Sequence, residues 1–272
     1  MNWRMLKAAL LLALFAFAPA RAQHSLAAVA EVDAISARFA LEVRPQLAVP
    51  AAALAGYTQA LEAALASAQV SMVAPQFLLL VDRSPNVQAA LLLWGASGGA
   101  WQLVGAVPVS TGLPGTYEHF VTPTGVFDHS TAQPDYRAEG TRNKLGFRGY
   151  GSKGMRVYDL GWVAAPRGWG DGAMGTLRLQ MHATDPVLAE PLLGTPRSEG
   201  CIRIAASFNT FVDLNGLLDA DYDAALREGA QLWVLNPART PVVSAGRFIV
   251  VVDSASTERA PWSPAPARAS LR

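Results

Sequence analysis

The sequence predicts an α+β chain in which a mostly β domain follows an N-terminal helical segment. Three observations support this. Residues 26–73 are rich in Ala, Leu and Glu, with Leu54, Tyr57, Leu61 and Leu65 at helical spacing. From Gln76 onward, apolar residues come in short β-prone runs separated by turn-forming clusters. Hydrophobic residues make up 51% of a 272-residue chain that has one Cys, so a sizeable core is available without a disulfide framework.

Residues 1–22 read as a signal peptide. Arg4 and Lys7 precede the apolar run Ala8 to Ala18, and Ala20-Arg21-Ala22 places small residues at the positions a signal peptidase reads. The mature chain is expected to begin at Gln23 and to be exported to the periplasm or cell envelope. The apolar run is shorter than the roughly 20 residues a bilayer span needs, and no later stretch is long enough, so no membrane span is expected in the mature chain. Removing the leader takes the basic residues from 22 to 19 against 21 acids, a balance that gives no ground for nucleic-acid binding.

The helical lead-in, 23–73, is expected to break near Pro45 and Pro50. The domain that follows, 74–253, opens with strands at Phe77–Val81, Ala89–Trp94 and Trp101–Val109, an antiparallel meander with turns at residues 82–86 and 95–99. A short strand is expected at Val126–His129. Residues 131–153 are polar, charged and Gly-rich and read as a large surface loop, where a rigid β scaffold concentrates its substrate contacts. Strands resume at Met155–Leu160 and Thr176–His182, a helix is expected at Phe208–Leu218, and strands at Gln231–Leu235 and Arg247–Val252. The tail, 254–272, is rich in Ala, Pro and Ser and is expected to be disordered.

Cys201 lies in Arg197-Ser198-Glu199-Gly200-Cys201-Ile202-Arg203, nineteen residues after His182. In an exported protein, a lone thiol has no intrachain disulfide partner, and its surroundings suggest a nucleophile. A thiol attacks as thiolate and needs a base at neutral pH, for which His182 is the candidate. Gly200 permits a sharp turn that turns the backbone N–H groups of Glu199, Gly200 and Cys201 toward an oxyanion. Ser198 and Arg203 are candidates to hold the loop or a substrate carboxylate. Taken singly, each has a plainer reading: an inert buried Cys, a satisfied strand-end His, a turn Ser, an ion-paired Arg. Their joint spacing favours chemistry.

Other constellations are weaker. His119, Asp128 and His129 with His182 match no metal-ligand spacing, so neither a metal nor a cofactor is expected. A Ser-His-Asp site built on Ser198 lacks Gly-x-Ser-x-Gly. Tyr136, Tyr150, Tyr158, Trp162 and Trp169 read as packing residues, with one or two lining a groove or covering it.

These residues resemble the L,D-transpeptidase (YkuD-type) catalytic domain. The signature of that family is a His, a spacer of some fifteen residues, then Ser/Thr-His-Gly-Cys, an apolar residue and Arg or Asn. Here His182 is followed, after fifteen residues, by Ser198-Glu199-Gly200-Cys201-Ile202-Arg203. Pro108-Val109-Ser110-Thr111-Gly112 and Thr122-Pro123-Thr124-Gly125-Val126-Phe127 are similar to two upstream pieces of the family, a strand end and a turn into the next strand. The resemblance covers Pro75 to Pro237 and implies a β-sandwich-like domain acting on peptidoglycan stem peptides. It implies that Cys201 attacks the carbonyl between the L-centre of a diamino acid and the terminal D-alanine, which leaves, and that an acceptor amine resolves the thioester. His182 is then general base and afterwards general acid. The acceptor is another stem peptide, a lysine of a lipoprotein held to the cell wall, a free D-amino acid or water.

Two positions depart from the family. Glu199 stands where the family has His, and Ala183 where Gly follows the first His. A carboxylate beside a thiol disfavours the thiolate; Glu199 alternatively pairs with Arg197 or Arg203, or attracts a cationic substrate group. Two further functions stay open: a non-catalytic cell-wall binding module, and an L,D-carboxypeptidase-type cysteine hydrolase on the same fold.

Overall fold

A computed structural model describes residues 27–144 and 146–263; the signal peptide expected over residues 1–22 and the last nine residues of the tail lie outside the described residues. The chain is α+β. In order it forms α1 (27–42), α2 (Ala51–Ser67), β1 (Gln76–Asp82), β2 (Ala89–Gly95), β3 (Gln102–Pro108), β4 (Gly125–Asp128), β5 (Tyr136–Arg137), β6 (Arg156–Pro166) and β7 (Met174–Ala183). A 3-10 turn (Glu190–Leu192), β8 (Ile202–Ile204), α3 (Ala206–Asn215), α4 (Ala220–Arg227) and β9 (Phe248–Val252) complete it. Two sheets result, with strand orders β3-β2-β1-β9-β4 and β5-β6-β7-β8. The β1–β2–β3 meander is antiparallel, as expected. β9 joins β1 in parallel, and β8 joins β7 in parallel beside the β6–β7 hairpin.

Alternation along β1 explains how the layers stack. Phe77, Leu79 and Val81 share a core with Leu179, Met181, Ile202 and Ile204 of the second sheet. Leu78 and Leu80 face the other way, onto Tyr57, Leu61 and Leu65 of α2. A strand covered on both faces reads as one apolar run, which is what residues 77–81 show. The Tyr57 hydroxyl donates to Asp82 Oδ2 at 2.7 Å, so the helix is also tied to the strand end. α1 adds Val32, Ile35 and Phe39 to the core between the sheets, joined by Val43 just past its end, with Phe39 meeting Phe208 and Phe211 edge-on. No helix among the described residues is long and apolar enough to cross a membrane.

Three expectations are corrected. Residues 231–235 form a turn instead of a strand: Leu235 N–H bonds to Leu232 O, Arg137 Nε takes Val234 O at 2.7 Å, and Trp233 stands in solvent. The helix after Cys201 stops at Asn215, and a second helix, α4, follows where none was expected. The tail expected to be disordered from Ser254 is docked as far as Ser263. Trp262 meets the Tyr57 ring edge-on at 6.0 Å, Arg259 donates to the carbonyls of Gly194 and Pro85, and Ser263 Oγ donates to Val87 O. An Ala/Pro/Ser composition signals the absence of regular structure but not these few anchors.

Candidate active site

Strand alternation builds the site. On β7, Leu179 and Met181 point into the shared core, so Gln180 and His182 point to the opposite face; on β8, Ile202 and Ile204 point in and Arg203 points out. The parallel register sets His182 beside Arg203. One step back along that register, Cys201 comes level with Gln180. Asp159 of β6 pairs with Gln180, and Trp162 with Arg178, on the same outward face.

The loop carrying the thiol is assembled from the two upstream pieces. Arg197 and Ser198 N–H donate to Thr111 O at 2.9 and 3.0 Å, and Leu113 N–H donates to Ser198 O at 2.9 Å. Ser110 and Arg203 exchange a pair of backbone bonds. The Thr122 hydroxyl accepts from Gly112 N–H at 2.9 Å and donates to Gly200 O at 2.7 Å. Gly200 has φ of +129°, and a Cβ there would lie 2.8 Å from Leu177 Cδ2 and 3.1 Å from Phe120 Cβ, so the turn into Cys201 requires glycine.

Cys201 is half-buried, and its thiol faces Arg178 O at 3.8 Å. Burial pushes the thiol up to about 11, with Glu199 and Asp159 adding to the shift and the Gln180 N–H and Arg203 opposing it. At neutral pH the sulfur is therefore protonated. His182 is 4% exposed, and its Nδ1 lies 2.7 Å from Ala183 O. A carbonyl only accepts, so Nδ1 carries the proton and Nε2 keeps a lone pair. Burial is the main cause that holds the imidazole down at about 4; the Ala183 carbonyl pulls upward and Arg203 downward. It is neutral at pH 7, in the form a base requires. The group that orients His182, which the sequence does not name, is the carbonyl of the next residue.

The other expected residues divide. Ser198 is 1% exposed; its hydroxyl donates to Cys201 O at 2.5 Å and accepts Gly200 N–H at 3.1 Å. The hydroxyl expected at the substrate is thus used inside the loop, as is the Gly200 N–H expected at the oxyanion. The N–H groups of Glu199 and Cys201 have no acceptor among the described residues. Arg203 gives Nη1 to Arg197 O at 3.0 Å, while its buried Nε has no partner among the described residues. It lines a cavity of about 400 Å³ with Ser110, His119, Phe147, Arg197 and Glu199.

The structure does not bring together the histidines and Asp128 weighed as metal ligands. His119 rests on Leu113 O at 3.2 Å, Asp128 pairs with Arg247, and His129 is buried against Asp135. Sequence reasoning missed Arg178 and Gln180. The period-two pattern that places His182 outward places them outward too, so that signal was present. Compared with known proteins, the chain matches no family model and no curated protein.

Proposed function

We propose that the protein is an exported cysteine acyltransferase of the L,D-transpeptidase type, acting on peptidoglycan stem peptides. The observation that supports this best is a neutral His182 with Nε2 unprotonated, on the strand next to Cys201 and on the same sheet face. The four sequence pieces that carry the resemblance meet around that pair. Their convergence also supports a YkuD-type β-sandwich-like fold.

In this reading the thiol leaves the Arg178 carbonyl and gives its proton to His182 Nε2 as sulfur bonds to the carbonyl carbon preceding the terminal D-alanine. The uncommitted N–H groups of Glu199 and Cys201 stabilise the oxyanion, an interaction worth about 3–4 kcal/mol per donor where it has been removed in hydrolases. The C–N bond then breaks, and the imidazolium returns its proton to the departing amine. An acceptor amine attacks the thioester, gives its proton to His182 and restores the thiol. Arg203 receives a substrate carboxylate in the cavity it lines, and Glu199, exposed on the same cavity, receives an ammonium group.

The test is to incubate the mature chain with purified disaccharide tetrapeptides and follow it by mass spectrometry. A thioacyl adduct on Cys201, D-alanine release and dimer formation are expected, all lost in Cys201→Ser with the fold intact. Release without dimer or exchange identifies a hydrolase. Binding with neither adduct nor release identifies a non-catalytic module. Turnover unchanged in Cys201→Ser refutes the nucleophile.

A further inference from the structure

One aromatic ring lies directly against the base. The Tyr150 ring centroid is 4.6 Å from that of His182, at an interplanar angle of 55°, and Tyr150 itself is 41% exposed. It therefore stands between the imidazole and solvent. Its hydroxyl donates to Gln180 Oε1 at 3.1 Å, and Tyr136, edge-on to it at 5.9 Å, reaches the same oxygen at 3.5 Å.

The backbone around Tyr150 is clipped at both sides. Arg148 N–H donates to Asp185 Oδ2 at 3.0 Å, just beyond the end of β7. Gly151 has φ of +83°, and a Cβ there would lie 2.8 Å from Ala183 Cβ, so only glycine lets the loop press this close to the strand. Gln180 is the hub. Its side chain takes Tyr150 at one end and gives Nε2 to the buried Asp159 at 2.9 Å at the other, while its backbone N–H faces the Cys201 sulfur. Base and nucleophile are thus referred to one residue of one strand.

We propose that Tyr150 is a positioning residue: pressed on His182 and tied to Gln180, it fixes the imidazole plane and shields it from water. This rests on the acyl-transfer reading only in taking His182 as the base. Without the ring, the imidazole is solvated and the burial that depresses its affinity for a proton is relieved. Of the other charged or titratable groups, Arg203 on β8 acts on the imidazole, and Tyr136 on β5 with Cys201 and Glu199 just before β8 act on the Tyr150 hydroxyl, while Asp159 on β6 and Arg178 on β7 share the sheet face. Arg148 and Asp185 lie at the loop and strand ends. The Tyr150 substitutions leave all of these in place.

The experiment is an NMR titration of the His182 ring in the full chain, assigned with His182→Gln, for the parent, Tyr150→Ala, Tyr150→Phe and Gln180→Leu. In Tyr150→Ala the midpoint is expected to move from about 4 toward the ordinary 6.5. A shift all the way to 6.5 lowers the neutral fraction at pH 6 about fourfold, and the rate of Cys201 acylation falls with that fraction. Tyr150→Phe restores the low midpoint, because the ring does the shielding. Gln180→Leu shifts it in the same direction as Tyr150→Ala, and carries the test if that variant does not fold. A folded Tyr150→Ala, or a folded Gln180→Leu in its place, with an unmoved midpoint overturns the proposal. The titration needs no substrate, so a moved midpoint in a chain that forms no acyl adduct would retain the role of Tyr150 and sink the acyltransferase reading alone.

Discussion

Replacing Arg156 by Met removes the cation at the centre of a buried charge network beneath the site. Arg156 opens β6, has none of its surface exposed, and precedes Val157, the cross-strand partner of His182. Its Nε donates to Asp135 Oδ2 at 2.6 Å and its Nη1 to Asp219 Oδ2 at 2.9 Å; Asp213 Oδ1 lies 3.4 Å from Nη1. The guanidinium carbon sits 4.9 Å from the ring centroids of both Tyr158 and Tyr222. Met preserves most of the volume but leaves three buried acids short of one charge. Breaking a buried ion pair from one side costs about 3–5 kcal/mol. Each acid retains a second cation (His129 for Asp135, Arg137 for Asp213, Arg239 for Asp219), which places the expected loss at the lower end, about 3 kcal/mol. For a domain of this size that lowers Tm by about 6–12 °C. The assay is thermal unfolding followed by circular dichroism at pH 7, with Arg156→Lys alongside to separate charge from the planar fork. A Met variant within about 1 kcal/mol of the parent would refute the reasoning, because the acids would then not depend on Arg156 for their charge.

Gly200→Ala forces a side chain onto a backbone with φ of +129° and into Leu177, at a strain of about 1–3 kcal/mol. The expected readout is a change of at least tenfold in the rate of Cys201 alkylation by iodoacetamide, with β content retained; equal rates and equal Tm would count against the loop geometry. His129 has both ring nitrogens against acceptors, Nδ1 on Leu218 O at 2.8 Å and Nε2 on Asp135 at 2.9 Å, so the buried ring is held as an imidazolium. Burial opposes that charge, but Asp135 outweighs it and lifts the folded pKa above the ordinary 6.5. Its stabilisation is complete below about pH 6.5 and is lost as pH rises through the folded value. The urea midpoint is expected to drop on the alkaline side, and His129→Gln to flatten that slope; identical slopes in the two chains would contradict the assignment.

Much of the β architecture is readable because its strands are long and doubly covered. Residues 77–81 and 89–94 announce themselves as apolar runs, and the β1–β3 meander follows from the turns between them. β8 is three residues long, too short for any period, and its pairing to β7 is parallel and distant in sequence. Cys201 and His182 stand out from their spacing, and the turn into Cys201 from its glycine. The use of Ser198 is not, because a hydroxyl beside a turn serves substrate or backbone equally well until the Cys201 carbonyl is placed next to it. The buried pairing of His129 is not legible either. Its partner Asp135 is six residues away, but Arg156, Asp213 and Asp219 arrive from β6, α3 and the turn before α4, contacts that no local pattern encodes.

The alternation along β7 makes an error of register costly. A slip of one residue would carry His182 inward to the place of Met181 and turn Leu179 and Met181 out to water. Each expelled hydrophobe forfeits about 1.5–3 kcal/mol, so misalignment is penalised by the interior itself. The same packing that excludes water from one side of the sheet therefore proofreads the arrangement of reactive groups on the other. Substitutions that loosen Leu179 or Met181 would blunt reactivity at Cys201 while most of the secondary structure persists.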